Sequence, residues 1–149
     1  MITIDQIKKL REETNISISE CKKALEEARG NFEKAKEILI KQGKKIAEKK
    51  VKREVGCGII DCYVHPNKKV GVMLELRSET DFVAKSNNFC NLAHEICLQI
   101  AAMNPEENSS LMSQPWIKDE SKTIQDLINE QIAKLGENIT VKRFIRFEL

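Results

Sequence analysis

The sequence predicts an α+β fold in which an N-terminal three-helix bundle is followed by a three-stranded antiparallel sheet packed with helices. Three observations carry this. Residues 1–43 hold three short runs with apolar residues at helical spacing, each with its own start and stop signals. Residues 55–77 switch to a period of two on either side of a His65-Pro66-Asn67-Lys68 turn. Two more helical runs and a final alternating segment then give the order β-β-α-α-β, which suits a small sheet with helices segregated to one side.

The first helix has Thr3 and Gln6 as a capping box ahead of Ile4, Ile7 and Leu10. After the turn Thr14-Asn15-Ile16, Ser17 and Glu20 form a second box, and Cys21, Ala24, Leu25 and Ala28 make one apolar stripe. Gly30 is a stop and Asn31 a fresh N-cap for a third helix through Phe32, Ala35, Ile38 and Leu39, expected to end at Gly43. Residues 41–53, KQGKKIAEKKVKR, hold seven Lys or Arg against one Glu. Such a run reads as a solvated linker or as a polyanion-binding segment, without the aromatic interleaving that base stacking uses. These signals divide the chain into a helical domain (1–43), a basic linker (44–54) and a core domain (55–149).

The first strand spans Val55 to Val64, with Gly56 and Gly58 permitting a bulge or close backbone approach. In the second, Val70, Val72, Leu74 and Leu76 alternate with Gly71, Met73, Glu75 and Arg77, so one face is buried. Thr80 is then an N-cap for a long helix from Asp81 to Met103, with Phe89, Ala93, Ile96, Ile100 and Met103 toward the core. Asn104-Pro105 breaks it, and residues 104–121 read as a surface loop anchored by Trp116. Thr123 to Leu135 is helical and closed by Gly136. Ile139 to Leu149 is the third strand, with Ile139, Val141, Ile145 and Phe147 expected on one face.

At 149 residues, with 41% hydrophobic and 32% charged, the composition is that of a globular chain with a real core. No apolar run approaches the ~20 residues that span a bilayer. The stretch MITIDQIKKL has no apolar h-region and is not read as a secretory signal, nor does it have the Arg- and Ser-rich character of a transit peptide. Twenty-five basic against 23 acidic residues give no general argument for nucleic-acid binding. Five Cys without a CxxC pair suit reduced thiols in a cytosol.

No P-loop, GxGxxG, GxSxG or HExxH is present. Cys90, His94 and Cys97 fall at i, i+4 and i+7 and could line one helix face, but match no common zinc spacing. Cys57, Cys62 and His65 lie on the first hairpin, where a strand puts Cys57 and Cys62 on opposite faces. The paired acids at 12–13, 26–27 and 106–107 read as solvated surface charge. The expectation is a chain that is not an enzyme, with no cofactor and no bound metal.

One feature of this pattern is unusual: Asp81-Phe82 at a corner between a stiff strand and a helix. Taken locally, Phe82 either tucks into the core or is aimed outward. Three ordered motifs bear on the choice. Leu10-Arg11-Glu12 through Cys21-Lys22-Lys23-Ala24-Leu25-Glu26-Glu27-Ala28 and Gly30, Glu79-Thr80-Asp81-Phe82-Val83-Ala84-Lys85, and Lys134-Leu135-Gly136-Glu137-Asn138-Ile139 together resemble the signatures of the elongation factor Ts family. The resemblance implies a UBA-like N-terminal bundle and a guanine-nucleotide exchange factor for the GTPase elongation factor Tu, working in a bacterial-type cytosol or an organelle. It implies that Thr80, Asp81, Phe82 and Val83 meet the partner and dislocate its Mg²⁺, while Arg11, Ile18 and Ser19 dock the N-terminal domain. It also implies that the Lys134–Ile139 turn buttresses the core or meets the partner. This sequence departs from the family where Asn15-Ile16-Ser17-Ile18-Ser19 replaces a Gly-containing turn followed by two Met; Ile18 keeps an apolar contact and Ser19 weakens one. A single core unit makes a homodimer a further expectation, with neither membrane nor specific nucleic acid as partner. The alternative is a nucleic-acid or ribosome-binding adaptor using Lys41–Arg53.

Overall fold

Side-chain caps set where the N-terminal helices begin in the computed structural model, which describes residues 1–149. Helix α1 (Ile4–Thr14) opens on the Thr3–Gln6 capping box and closes on Asn15 in the left-handed conformation. Helix α2 (Ile18–Glu27) is capped by Ser17, and α3 (Phe32–Lys50) by Asn31. Leu10, Cys21, Ala24, Leu25, Ala28, Ala35 and Leu39 meet in a small apolar core of their own.

Helix α3 does not stop at Gly43. Gly43 is buried in its middle, where a Cβ would stand 3.8 Å from the Asn129 backbone carbonyl. A mid-helix Gly costs about 1 kcal/mol against Ala. Here α3 packs on α7 (Ile124–Leu135) at a distance where a Cβ would make ordinary contact, and that packing overrides the local stop signal. Residues 41–50 of the basic run are therefore helix, with Ala47 joining the larger core.

Strands β1 (Cys57–Val64), β2 (Val70–Ser78) and β5 (Ile139–Glu148) form one antiparallel sheet in the order β1-β2-β5. Val72, Leu74 and Leu76 point inward against Phe89, Leu92, Ile96 and Ile100 of α5 (Asn87–Met103) and Ile128 and Ile132 of α7. Gly58 is at φ +150°, and a Cβ there would fall 2.2 Å from the Leu76 carbonyl oxygen, so the close approach of β1 to β2 requires glycine.

Three expectations are corrected. The helix from Asp81 is two helices, α4 (Asp81–Ala84) and α5, because Ser86 takes up an extended conformation and caps α5 through the Phe89 amide. Residues 104–121 are not all loop: α6 (Asn108–Ser113) and a hairpin of β3 (Pro115–Trp116) and β4 (Asp119–Thr123) lie there, with Trp116 half-buried against the core. Finally, Ile145 and Phe147 do not share a face with Ile139 and Val141. Leu76 pairs with Val141 but Glu75 pairs with Arg143, so Lys142 is an extra residue. The bulge inverts the alternation, and Ile145 and Phe147 face outward while Phe144 turns in. No helix is long and apolar enough to cross a membrane.

Candidate functional site

Strand β2 delivers the chain to a short projecting corner. Ser78, fully buried at the strand end, donates its hydroxyl to the Thr80 carbonyl at 2.9 Å and turns the backbone. Thr80 then caps α4, its Oγ1 accepting from the Val83 amide at 3.4 Å. Below the corner Val83 and Ala84 enter the core, and the Ser86 hydroxyl donates to the Val83 carbonyl at 2.7 Å. This leaves Phe82 with nowhere inward to go: it is 88% exposed. An aromatic ring that open on a two-ended anchor is not spent on folding.

Thr80 and Asp81 are exposed beside Phe82, but Val83 is only 5% exposed. Its side chain cannot meet a partner, and its place in the site is that of an anchor. One turn of helix puts neighbouring side chains about 100° apart, so Phe82 and Val83 face different ways.

Asp81 reaches toward the start of β1. It lines a shallow cleft with Gly56, Cys57, Gly58, Glu75 and Arg77. Burial pushes the Cys57 thiol up, and the Asp81 carboxylate beside it adds to the shift. Glu75 is almost wholly buried on this side of the sheet, held by Arg77 from its own strand and by Arg143 from β5 at 2.8 Å. These two guanidiniums, Arg77 first, hold its carboxyl below the usual carboxylate range. Arg77 also donates to the Gly56 carbonyl at 3.2 Å, fixing the approach to β1.

The turn after α7 closes on the corner from the other side. The Glu137 carboxylate accepts from the Thr80 amide at 2.9 Å and from the Thr80 hydroxyl at 2.7 Å. The amide of Asn138 donates to Glu79 at 2.8 Å, and its buried side chain donates to the carbonyls of Arg53 (2.9 Å) and Val51 (3.4 Å) beyond α3. Lys50 donates to the Gly136 carbonyl at 2.6 Å. The motif containing this turn carries no sign of its bond to Thr80, since 57 residues separate Thr80 from Glu137.

The N-terminal candidates lie on the bundle surface. Ile18, the first residue of α2, is 53% exposed, and Ser19 follows it in the open. Arg11 is exposed in the last turn of α1 and lines a cleft with Lys8, Glu12, Asn15 and Lys134 of α7. The structure thus brings Arg11 to Lys134 in the last turn of α7, the end of that helix from which the following turn grips Thr80. Most Lys of the 41–53 run are exposed along α3 and beyond it, apart from Lys50, which is half-buried on the Gly136 carbonyl.

The other sequence candidates disperse. Cys97 is buried, with its thiol pushed up to about 12 by burial, whereas Cys90 is exposed and turns its thiol to the Ala84 carbonyl. No group of three or more His, Cys, Asp or Glu side chains could hold a metal ion. The outer face of the sheet, by contrast, is strongly apolar: Ile60, Val64, Met73, Ile145 and Phe147 are all exposed there, Phe147 by 70%.

The family model described as elongation factor Ts matches residues 79–149. An elongation factor Ts of Coprothermobacter proteolyticus is 40% identical over 193 aligned positions, covering 99% of this chain and 98% of that protein. Those of Thermotoga maritima (42% over 191 positions, 99% and 96%) and Thermodesulfovibrio yellowstonii (40% over 192, 99% and 96%) are similar to the same extent.

Proposed function

This chain belongs to the elongation factor Ts family of translation elongation factors, and from that premise we propose that it is the guanine-nucleotide exchange factor of an elongation factor Tu. The observation that carries the reading is Phe82, an open aromatic ring on a corner braced from β2, the core and α7. Asp81 and Phe82 press into the GTPase domain near its nucleotide, displacing packed elements that help hold the Mg²⁺ bridging protein and phosphates. GDP is weakened as the metal loses its support.

Linkage makes this reciprocal. If the factor weakens GDP binding by some factor, GDP weakens binding of the factor equally. The factor prefers the nucleotide-free GTPase, and incoming GTP expels it. No covalent bond is made or broken by this chain, and no cofactor of its own enters the cycle. Arg11, Ile18 and Ser19 dock the bundle on the same partner, with Ile18 supplying the apolar anchor. Two separate apolar cores support a division into a UBA-like domain (1–43), a basic connecting segment (44–54) and a core domain (55–149). The place of work is the compartment of that translation machinery, a bacterial-type cytosol or an organelle.

A second copy of the chain is part of the same reading. The apolar outer face of the sheet has Met73 directly opposite Ile145 and Gly71 opposite Phe147, with Glu75 neutralised by two Arg beside them. Such a face, with five exposed apolar side chains beside the Glu75–Arg77–Arg143 cluster, suits a homodimer.

The test is release of fluorescent GDP from elongation factor Tu. Phe82→Ala is expected to slow stimulated release at least tenfold with the fold intact; a variant that stimulates like the parent sinks the wedge.

A further inference from the structure

We infer that Glu137 is a positioning residue for the exchange tip, acting through Thr80, and that the Gly136-Glu137-Asn138 turn ties the tip to the end of α3. The inference rests on Asp81-Phe82 being the working tip.

Helix α4 has almost no stability of its own. Its four residues are closed by the Ala84-to-Thr80, Lys85-to-Asp81 and Ser86-to-Val83 backbone bonds, at 3.2, 3.0 and 2.9 Å, and a helix this short is not stable in isolation. The direction in which Phe82 points is therefore decided by what holds the ends. The downstream end has Val83, Ala84 and the Ser86 hydroxyl. At the upstream end the Thr80 carbonyl accepts from the Ser78 hydroxyl, and three further polar functions remain to satisfy. Its hydroxyl oxygen receives the Val83 amide, and both of its donors, N–H and O–H, go to the two oxygens of one carboxylate. A two-point, charge-assisted grip fixes rotation as well as distance, which a single hydrogen bond does not. Nothing nearer in sequence does this: Glu137 is the partner of both donors.

The grip is only as stiff as the backbone that carries Glu137, and that backbone is tied on three sides. Gly136 holds the left-handed closing conformation of α7 at φ +78°, its carbonyl taken by Lys50. Asn138 is buried, with its amide on Glu79 and its side chain on the carbonyls of Val51 and Arg53. Arg53 returns to Glu79 as an ion pair at 3.7 Å. The segment leaving the bundle and the corner carrying Phe82 thus meet at one three-residue turn. A purely terminating role for Gly136-Glu137-Asn138 would use the glycine alone; the Glu137 carboxylate adds nothing to ending a helix.

The experiment uses the full chain and elongation factor Tu loaded with fluorescent GDP, with the release rate followed to saturation. Glu137→Ala is expected to lower the maximal rate at least tenfold while the half-saturating concentration stays within threefold, because Arg11 and Ile18 are untouched. Glu137→Gln, which keeps one oxygen for the Thr80 amide, should recover at least a third of the maximal rate. Thr80→Val with Glu137→Ala together should be no slower than the slower single variant. Backbone hydrogen exchange provides a readout that does not depend on the GTPase: Glu137→Ala should speed exchange at Val83, Ala84 and Lys85 tenfold or more and leave Leu74 and Leu76 unchanged. Faster exchange throughout the chain, additive single effects, or parental release by Glu137→Ala would overturn the inference. Phe82→Ala measured alongside separates the two readings. If it alone is without effect, the tip is wrong, whereas slow release by Phe82→Ala beside parental behaviour of Glu137→Ala removes the clamp and leaves the tip.

Discussion

The Nε of Arg143 lies 2.8 Å from Oε1 of Glu75, directly across the β2–β5 ladder and one residue past the bulge. With Arg77 on the other oxygen, a nearly buried carboxylate is kept charged on the sheet's outer face. Its pKa is lower folded than unfolded. Such a group stabilises the fold above its unfolded value, near the ordinary 4.5, and the contribution is lost as pH falls through the folded value. Glu75→Gln should therefore be less stable than the parent at pH 7, and its melting temperature should fall less steeply below about pH 4.5. Parallel melting-temperature profiles for the two proteins would contradict the assignment.

Phe82 and Val83 should part company in a urea titration. Val83 is packed in the core, so Val83→Ala should cost roughly 2 kcal/mol through lost burial and a residual cavity. Phe82→Ser should stay within about 0.5 kcal/mol of the parent, as expected of an exposed side chain. Equal losses would mean that Phe82 is structural.

Gly58→Ala tests the seam between β1 and β2. The added methyl would collide with the Leu76 carbonyl and the Arg77 Cα, both backbone atoms that belong to the ladder. We expect at least about 2 kcal/mol of destabilisation, measured by thermal melting, with early loss of amide protection in Ile59 to Asp61.

The outer sheet face makes a prediction about mass. If two copies pair there, the parent sediments as a dimer and Phe147→Glu, which adds a charge at an exposed site, sediments as a folded monomer. A monomeric parent at micromolar concentration removes the homodimer from the proposal.

Neutralising Lys41, Lys44, Lys45 and Lys49 to Gln separates exchange factor from adaptor. All four are exposed on α3. Stimulated GDP release should stay within twofold. RNA or ribosome binding that falls steeply with salt in the parent, and vanishes in the variant, would favour the adaptor.

What was legible in the sequence was local. Thr3, Ser17, Asn31 and Thr80 all cap helices at the points where they are expected to, because N-capping reaches only two or three residues along the chain. The buried face of β2 followed from its alternation. What failed was decided by neighbours far away. Gly43 reads as a stop until α7 is set against it. Lys142 looks like any other residue of an alternating strand, and only the partner strand reveals that it has no mate. For the site, Phe82 was placed by motif and not by physics, and Glu137 was invisible as a partner because nothing in a carboxylate's own surroundings in sequence says which amide it will hold.

Helix α3 has one end in the bundle core, through Ala35 and Leu39, and the other in the sheet core, through Ala47. Nineteen residues at a rise of 1.5 Å make a rod of about 28 Å, and Lys50 pins its far end. It acts as a ruler. A partner engaging Ile18 and Phe82 together must present two sites at one spacing, and only then does the second engagement become intramolecular and raise the overall affinity beyond either alone. Selectivity among related GTPases would then reside in a length, and one residue inserted into α3, shifting the phase by about 100°, would change it more than any single surface substitution.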